Sequence, residues 1–375
     1  MNIKENIAKS ILRKHKKIDS WFLSRYGMNL YRGCIHNCIY CDGRAEKYNV
    51  VGEFGKDVVV KINAIDVLKR ELNPKRKRVP LKKGFIMVGG GVGDSYQPAE
   101  KKYYLTRKTL ELLYEMDLPI HILTKSILVE RDMGIIKKIN EKSKVIVSFS
   151  FSSTNENISS FFEPGVPAPK ARLETLKSFK EEGIATGMFL MPVIPFISDK
   201  PKILEKTLRD AVDADIDFVI FSGMTLKPGR QMDFFYEHLE KFYPDLITEY
   251  KFIYKDDKWG NASKQYYDSL NKTFNAISKN YRIYKRIPQH IYDGYIDEND
   301  KVIVILEHID YLLKLQGKKS PYGFAAYSIS NLNEPISNLR NKLTSIKGVG
   351  RTTETIILDI LDTGSCNYYK KLMSK

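Results

Sequence analysis

Three of the four cysteines in this chain lie together near its start, at a spacing that suits metal chemistry. Cys34, Cys38 and Cys41 form the pattern CxxxCxxC within a short loop that also contains glycine and asparagine. Such a loop can direct three thiolates at a [4Fe-4S] cluster and leave the fourth iron open to a small molecule. Zinc held by these cysteines and His36 is the alternative, although no second pair of ligands follows in the sequence. The spacing therefore favours a reactive iron–sulfur cluster.

The run from Asn29 to Cys41 resembles the signature of the radical S-adenosylmethionine (SAM) superfamily, and the wider run to Arg44 resembles one branch of it. From Ile11 to Leu226 the chain is similar to the branch that contains spore photoproduct lyase and its DNA repair photolyase-like relatives. The resemblance implies that the three cysteines ligate iron, that SAM binds at the open iron, and that Tyr40 flanks the cofactor. It also implies an activity, in which the cluster donates an electron to SAM and the resulting 5′-deoxyadenosyl radical takes a hydrogen atom from the substrate.

Strand-like and helix-like runs alternate through the same part of the chain. This alternation predicts a parallel sheet with helices outside, and counting Met28 to Arg32 as the first strand gives six strand–helix units. The predicted fold class is therefore α/β, a partial (β/α)6 barrel. Chemistry in such barrels lies at the carboxyl ends of the strands. The cysteine loop follows the first predicted strand, Gly89 to Asp94 the second, and Thr124 with Lys125 the third, as this rule requires.

Further residues near these strand ends correspond to cofactor-binding positions of the family. The resemblance implies that a glycine run lets backbone groups approach the methionine end of SAM, because glycine lacks a Cβ. A tight turn is the alternative for the glycines, and a salt bridge in a Pro-rich loop is the alternative for Glu163 and Arg172. The cofactor-binding residues implied in addition to Tyr40 are Gly89, Gly90, Gly91, Asp94, Lys125, Ser150, Glu163, Arg172 and Met191.

The stretch from Gly91 to Pro98 aligns with the part of spore photoproduct lyases that carries their hydrogen-donor cysteine. This chain has glycine at that place, and Cys366, the only cysteine outside the loop, belongs to a distant part of the sequence. We therefore expect SAM chemistry without efficient lyase activity. Tyr96 is the candidate catalytic residue, as a radical relay, and simple packing is the alternative for it.

The chain after Leu226 has a different pattern, with helical spacing and many aromatic residues. Near the end, two short predicted helices flank a GxG turn, which resembles the helix-hairpin-helix of DNA repair and replication proteins. In that motif backbone N–H groups face a phosphate. An αα-hairpin that only packs on the barrel is the alternative. The predicted nucleic-acid-binding residues are Lys347, Gly348, Val349, Gly350, Arg351 and Thr352.

These patterns divide the chain into four predicted parts. They are a basic N-terminal extension (1–27), the radical SAM partial barrel (28–226), a helical, aromatic-rich extension (227–330) and the helix-hairpin-helix module (331–375). A chain of 375 residues exceeds what one hydrophobic core usually organises. A large domain with a smaller appendage is therefore expected.

Composition and charge indicate the cellular compartment and the class of partner. The net charge of +16 suits a polyanion, although a solvated basic surface is the alternative. No apolar run is long enough to span a bilayer, the N-terminus lacks the apolar region of a signal peptide, and the few clustered cysteines fit a reducing compartment. We therefore expect a cytoplasmic protein with no membrane partner.

The sequence thus predicts a radical SAM enzyme that repairs or modifies nucleic acid, DNA rather than RNA. Its predicted cofactors are a [4Fe-4S] cluster and S-adenosylmethionine, its predicted electron donor is a protein such as ferredoxin or flavodoxin, and its predicted state is a monomer. Two alternatives remain open. One is a radical SAM enzyme acting on RNA or protein, and the other is a non-enzymatic iron–sulfur protein that binds nucleic acid.

Overall fold

A computed structural model describes residues 1–50, 52–75, 81–89, 93–255 and 257–374. Within these ranges the strands form a seven-stranded and a three-stranded sheet. The strands are β1 Asn2–Asn6, β2 Leu12–Asp19, β3 Ser24–Met28, β4 Tyr31–Arg32, β5 Asp57–Lys61, β6 Phe85–Gly89, β7 Ile120–Thr124, β8 Val145–Phe151, β9 Ala185–Val193 and β10 Phe218–Gly223.

Helices follow most strands and make up most of the chain after β10. They are α1 Ala64–Leu72, α2 Glu100–Tyr103, α3 Leu105–Glu115, α4 Met133–Lys142, α5 Glu156–Phe162, α6 Pro169–Glu181, α7 Pro201–Asp213, α8 Arg230–Phe242, α9 Ile247–Ile253, α10 Lys264–Ser278, α11 Gln289–Tyr292, α12 Glu298–Leu315, α13 Tyr322–Ile329, α14 Arg351–Thr363 and α15 Asn367–Met373.

The large sheet has the strand order β10-β9-β8-β7-β6-β3-β2. Its six strands from β3 to β10 run parallel, and β2 is an antiparallel edge strand. Parallel strands with helices outside are the arrangement expected when both faces of a sheet are buried. The predicted α/β class, a partial (β/α)6 barrel with a mostly helical C-terminal region, is therefore confirmed.

The first barrel strand lies earlier in the sequence than predicted. It is Ser24–Met28, which pairs with β6, whereas Tyr31–Arg32 pairs with β5 in the separate three-stranded sheet. The prediction of Met28 to Arg32 as first strand was wrong because the antiparallel partner Leu12–Asp19 is rich in lysine and gave no strand pattern. Between the first barrel strand and the cysteine loop, the chain therefore leaves the barrel sheet and pairs with the three-stranded sheet.

The C-terminal helices close the open side of the partial barrel. Helix α12 is apolar over most of its circumference, with Val302 to Leu306 all buried, as expected of a helix inside a core. It packs against β2 at one edge of the sheet, and its Tyr311 hydroxyl donates to the Phe221 carbonyl of β10 at the other edge (3.2 Å). Across the described ranges, no helix is both long and apolar enough to cross a membrane.

The terminal module contains two helical segments joined by a glycine turn. The first, Ile336–Ser345, is a 3₁₀ helix interrupted at Lys342, where φ is −135°. The second is α14, which starts after Gly350, and Gly348 in the turn has φ of +85°. The helix-hairpin-helix stays a prediction, since a true α-helical first arm is not formed.

Candidate cofactor site

A cavity of about 390 Å³ lies at the carboxyl ends of the barrel strands. It brings together the ends of β6, β7, β8, β9 and β10 with the cysteine loop. Of the predicted site residues it is lined by Cys34, Cys38, Tyr40, Cys41, Asp94, Lys125, Ser150 and Met191. Eight predicted site residues therefore line one cavity.

The cysteine loop is held in place by backbone hydrogen bonds to the segment around α5. The Ile39 N–H donates to the Phe162 carbonyl (2.9 Å), and the Gly165 N–H donates to the His36 carbonyl (3.0 Å). Gly165 is needed here because a Cβ would lie 2.7 Å from the Ile35 carbonyl oxygen. The loop is thus fixed before any ligand binds.

Arg44 forms a second support for the loop from its other side. Its guanidinium lies 3.4 Å from the centre of the Phe234 ring and 4.9 Å from that of Phe54. One of its N–H groups donates to the Asn37 side-chain oxygen (2.5 Å), and another reaches the Cys38 carbonyl (3.4 Å). Stacking of this kind fixes a planar cation strongly, which places a permanent positive charge beside the cysteines.

The three thiols fit an iron–sulfur cluster better than a single zinc ion. Burial raises the pKa of Cys34 and Cys41, and it raises that of Cys38 to about 12, so deprotonation requires a bound cation. His36 is engaged at both ring nitrogens, with the Gly165 carbonyl (2.9 Å) and the Asp94 carboxylate (3.2 Å). Among the described residues no three His, Cys, Asp or Glu side chains converge on one ion.

An ionic network is centred on the buried Glu163, which lies behind the cavity wall. Its carboxylate accepts hydrogen bonds from Tyr40 Oη, Lys125 Nζ (2.9 Å) and Arg172 Nη2 (2.7 Å). Burial alone would raise the pKa of Glu163, but Arg172 and Lys125 outweigh it and hold that pKa well below its usual range. Lys125 and Arg172 also donate to the Ser150 carbonyl, each at 2.9 Å.

The resemblance implied that Glu163 and Arg172 bind the cofactor, whereas in the structure both lie behind the cavity wall. Neither lines the cavity, and Arg172 is fully buried. They hold Tyr40, Lys125 and the end of β8, which do line it. Two of the three N–H groups of Lys125 are used by the contacts above, so the third is available to an anionic ligand in the cavity.

Asp94 joins the cysteine loop to the end of β7. Its carboxylate accepts hydrogen bonds from His36, from the Thr124 hydroxyl (2.7 Å) and from the Lys125 backbone N–H (2.7 Å). Burial opposes ionisation of Asp94, yet His36 and the N–H donors lower its pKa. A carboxylate satisfied by this many donors is rigid and stays ionised.

The remaining predicted residues are placed as follows. Gly89 ends β6 with φ of +91°, and a Cβ there would lie 2.3 Å from the Leu123 carbonyl oxygen, so only glycine fits. Gly90 and Gly91 lie outside the described residues. Tyr96 is fully buried in the barrel core and does not line the cavity, so its relay role stays a prediction.

Some residues that line the cavity were not predicted from the sequence. Phe22 lines it from the turn before β3 and stacks on Phe189 at 4.9 Å between ring centres. Nothing in the lysine-rich segment around Phe22 signals this position. Met224 and Thr225 follow the sixth barrel strand, so the rule about strand ends could have found them.

Comparison with known proteins agrees with this architecture. Residues 28–211 match the family described as the Radical SAM superfamily. An uncharacterized protein of Methanocaldococcus jannaschii is 32% identical over 252 residues, which cover 67% of this chain and 86% of that protein. An uncharacterized protein of Mycobacterium tuberculosis is 30% identical over 235 residues, which cover 62% of this chain and 67% of that protein.

Solved structures of spore photoproduct lyase variants share the fold. One has a TM-score of 0.54 at 16% identity, covering 74% of this chain and 79% of the other. A second, with bound AdoMet and dinucleoside spore photoproduct, has a TM-score of 0.51 at 16% identity and covers 78% and 80%. Identity at this level carries the fold alone. Together with the sequence match, these findings establish that the chain belongs to the radical SAM superfamily, whose members use a [4Fe-4S] cluster and S-adenosylmethionine.

Proposed function

We propose that this radical SAM enzyme repairs or modifies a nucleic acid, DNA rather than RNA. The cluster and SAM supply, when bound, a 5′-deoxyadenosyl radical that removes a hydrogen atom from a substrate. The protein provides the cysteine ligands, the ionic network that orients SAM, and a cavity that keeps water away from the radical. The finer assignment, to a base or sugar of DNA, rests on charge and on the terminal module.

In this proposal the cavity residues have distinct roles. Cys34, Cys38 and Cys41 ligate the cluster, and the third N–H of Lys125 binds the carboxylate of SAM. Tyr40 is held by Glu163 at one side of the cavity, where it packs against the cofactor. The rigid Asp94 keeps the cysteine loop at a fixed distance from β7, so that ligand binding requires little reorganisation.

Three observations support a nucleic acid as the substrate. The net charge of +16 attracts polyanions in general. Helix α14 begins at Arg351 without a side-chain cap, so its first N–H groups are available to a phosphate. Spore photoproduct lyase, which shares the fold, has been solved with a dinucleoside spore photoproduct.

The single observation that carries the proposal is the cavity that joins the three thiols of the cysteine loop to the Lys125–Glu163–Tyr40 network. The test is anaerobic reconstitution, reduction with dithionite and measurement of 5′-deoxyadenosine formed from SAM. The assay is run without substrate and with DNA, RNA and a peptide mixture.

We expect SAM cleavage without substrate and a higher rate, with hydrogen transfer into 5′-deoxyadenosine, when DNA is present. Stimulation by RNA or peptide alone would contradict the assignment to DNA. A reconstituted cluster that never cleaves SAM would favour the non-enzymatic alternative.

A further inference from the structure

A second groove, lined by basic residues that the proposed chemistry does not use, lies beside the cofactor cavity. It has a volume of about 1010 Å³ and is bounded by the edge strand β2, the turn after it, and helices α12 and α13. Trp21 lines this groove, while its neighbour Phe22 lines the cofactor cavity. Tyr311 also lines the groove, and its hydroxyl contacts the Phe221 carbonyl, next to Ser222 of the cavity. Residues that are adjacent in the chain or in contact therefore line the two spaces.

Cationic side chains outnumber carboxylates in this groove. Glu307 is paired with Lys17, and Asp310 is paired with Lys314 (2.7 Å). The third carboxylate, Asp19, accepts the Trp21 backbone N–H (2.9 Å). The exposed Arg13, Lys14 and Lys16 form no ion pair with any residue in the described ranges, so their charge faces solvent. The cationic residues of the groove are Arg13, Lys14, Lys16, Lys17, Arg286 and Lys314.

Arg286 differs from the others because it is only 2% exposed. Its guanidinium lies 4.1 Å from the centre of the Trp21 ring and 3.6 Å from that of the Tyr311 ring, and the two rings meet at 69°. Its Nε and Nη1 find no acceptor among the described residues. Burial lowers the pKa of Arg286 to about 10, so it remains charged at neutral pH. A buried guanidinium without acceptors is costly, and an anionic oxygen would satisfy it.

We propose that this groove binds the phosphate backbone of the strand whose base or sugar enters the cofactor cavity, with Arg286 as the buried anchor. The inference rests on the proposed function and names the surface that delivers its substrate. At 3.3 Å per residue, the extended run from Arg13 to Lys17 spans about 13 Å, which is long enough to contact more than one phosphate of a strand. An acidic electron-transfer protein would also be attracted by the exposed lysines. A strand of single phosphates is narrower than a globular surface and therefore fits better into the groove that Arg286 lines.

The test compares nucleic acid binding by three forms of the reconstituted holoenzyme. They are the wild type, the double variant Lys14→Ala with Lys16→Ala, and a matched control, Lys108→Ala with Lys177→Ala, on exposed positions of the outer helices α3 and α6. Fluorescence anisotropy with a labelled single-stranded DNA oligonucleotide is measured over a series of salt concentrations. Loss of two phosphate contacts should weaken binding about tenfold near 0.1 M salt and reduce the salt slope by about 1.4. The control pair should bind as the wild type does.

A second variant, Arg286→Lys, tests the buried anchor. It keeps the charge but loses the planar set of N–H donors, so we expect affinity to fall several-fold. SAM cleavage without substrate should be unchanged in every variant, because none of these residues belongs to the cofactor site. If Arg286→Lys does not fold, the affinity of the double variant Lys14→Ala with Lys16→Ala alone tests whether the groove binds DNA.

The outcomes separate this inference from the function on which it rests. Wild-type affinity in both the β2 and the Arg286 variants, with DNA bound normally by the wild type, would overturn the groove assignment and leave the function intact. Slower reduction by an acidic flavodoxin with unchanged DNA binding would assign the groove to the electron donor instead. A wild-type protein that binds no nucleic acid would overturn both proposals.

Discussion

The cofactor cavity and the terminal hairpin use charged residues in opposite ways. In the cavity, Tyr40, Lys125 and Arg172 come from distant parts of the chain and converge on Glu163, which is 1% exposed. In the hairpin, the cations are close in sequence and point to solvent. A buried ionic network is costly to form and is rarely favourable for stability alone, so its presence indicates that a fixed geometry is needed. The exposed cations of the hairpin hold no other side chain in place and act through their charge.

Glycines show the same contrast in the two regions. At Gly89 a Cβ would clash with the backbone of the neighbouring strand, so the packing of the barrel requires glycine at this position. At Gly348 a Cβ would lie 2.5 Å from the Phe324 ring of α13. The hairpin glycine therefore has a packing reason of its own. A glycine motif that matches a phosphate-binding pattern can thus be required by packing, and only the exposed cations test the binding role separately.

The largest expected effect is the loss of the cluster, which tests the cavity side of the comparison. Cys38→Ala should reduce iron from about four atoms per reconstituted chain to near zero and abolish cleavage of SAM. Iron analysis and the EPR spectrum of the reduced protein provide the measurement. Cys366→Ala is the matched control, because this thiol is buried in the terminal module, and it should change neither quantity. Stoichiometric zinc in protein purified without oxygen would contradict the assignment.

The next prediction concerns the fate of a thymine photodimer in the cavity. Cys34, Cys38 and Cys41 are assigned to iron, and Cys366 lies in the core of the terminal module. A thiol that returns hydrogen to the product is therefore lacking in the predicted place, so we expect little clean conversion and mainly misquenched products. Mass spectrometry after incubation with dithionite, SAM and a lesion-bearing oligonucleotide gives the readout. Efficient formation of two intact thymines, retained in Cys366→Ala, would show that another donor operates.

Glu163→Gln should weaken the cavity network without removing a ligand. It leaves Arg172 and Lys125 without their carboxylate, and breaking a buried pair costs about 3 kcal/mol in the free energy of unfolding. SAM cleavage should fall as well, because Tyr40 and Lys125 lose their common support. Chemical denaturation of the iron-free protein measures the stability. Glu174→Gln, at an exposed position of α6, is the control and should change it by less than about 0.5 kcal/mol.

The same variant predicts a pH dependence with a defined sign. The pKa of Glu163 is held below its ordinary value of 4.5 in the folded protein. The stabilisation by its charge is therefore complete above that value and is lost as the pH falls further. The difference in unfolding free energy between wild type and Glu163→Gln should be constant from pH 7 to about 4.5 and shrink below it. A difference that grows on acidification would contradict this account of the network.

The barrel, and the position of the three cysteines at one cavity, could be predicted from the sequence because both depend on local patterns. The cysteine spacing is read directly, and strand ends of a parallel sheet must meet at one edge. The sequence did not predict that Glu163 and Arg172 lie behind the cavity, since which side of a wall a side chain occupies depends on packing between distant segments. Phe22 and the first strand Ser24–Met28 were missed because surrounding lysines obscured the apolar pattern.

The smallest expected effect belongs to the hairpin, where the cations are exposed and contribute one charge each. Gly348→Val would clash with Phe324 as well as block a phosphate, so it cannot separate packing from binding. Lys347→Ala with Arg351→Ala avoids this problem, since both side chains are exposed. Duplex DNA binding should weaken several-fold, and the salt slope should fall by about 0.9 per contact removed. The exposed Lys370→Ala on α15 is the control within the same module. If the double variant kept the wild-type salt slope, the hairpin would be a packing element, and binding would depend on the barrel side alone.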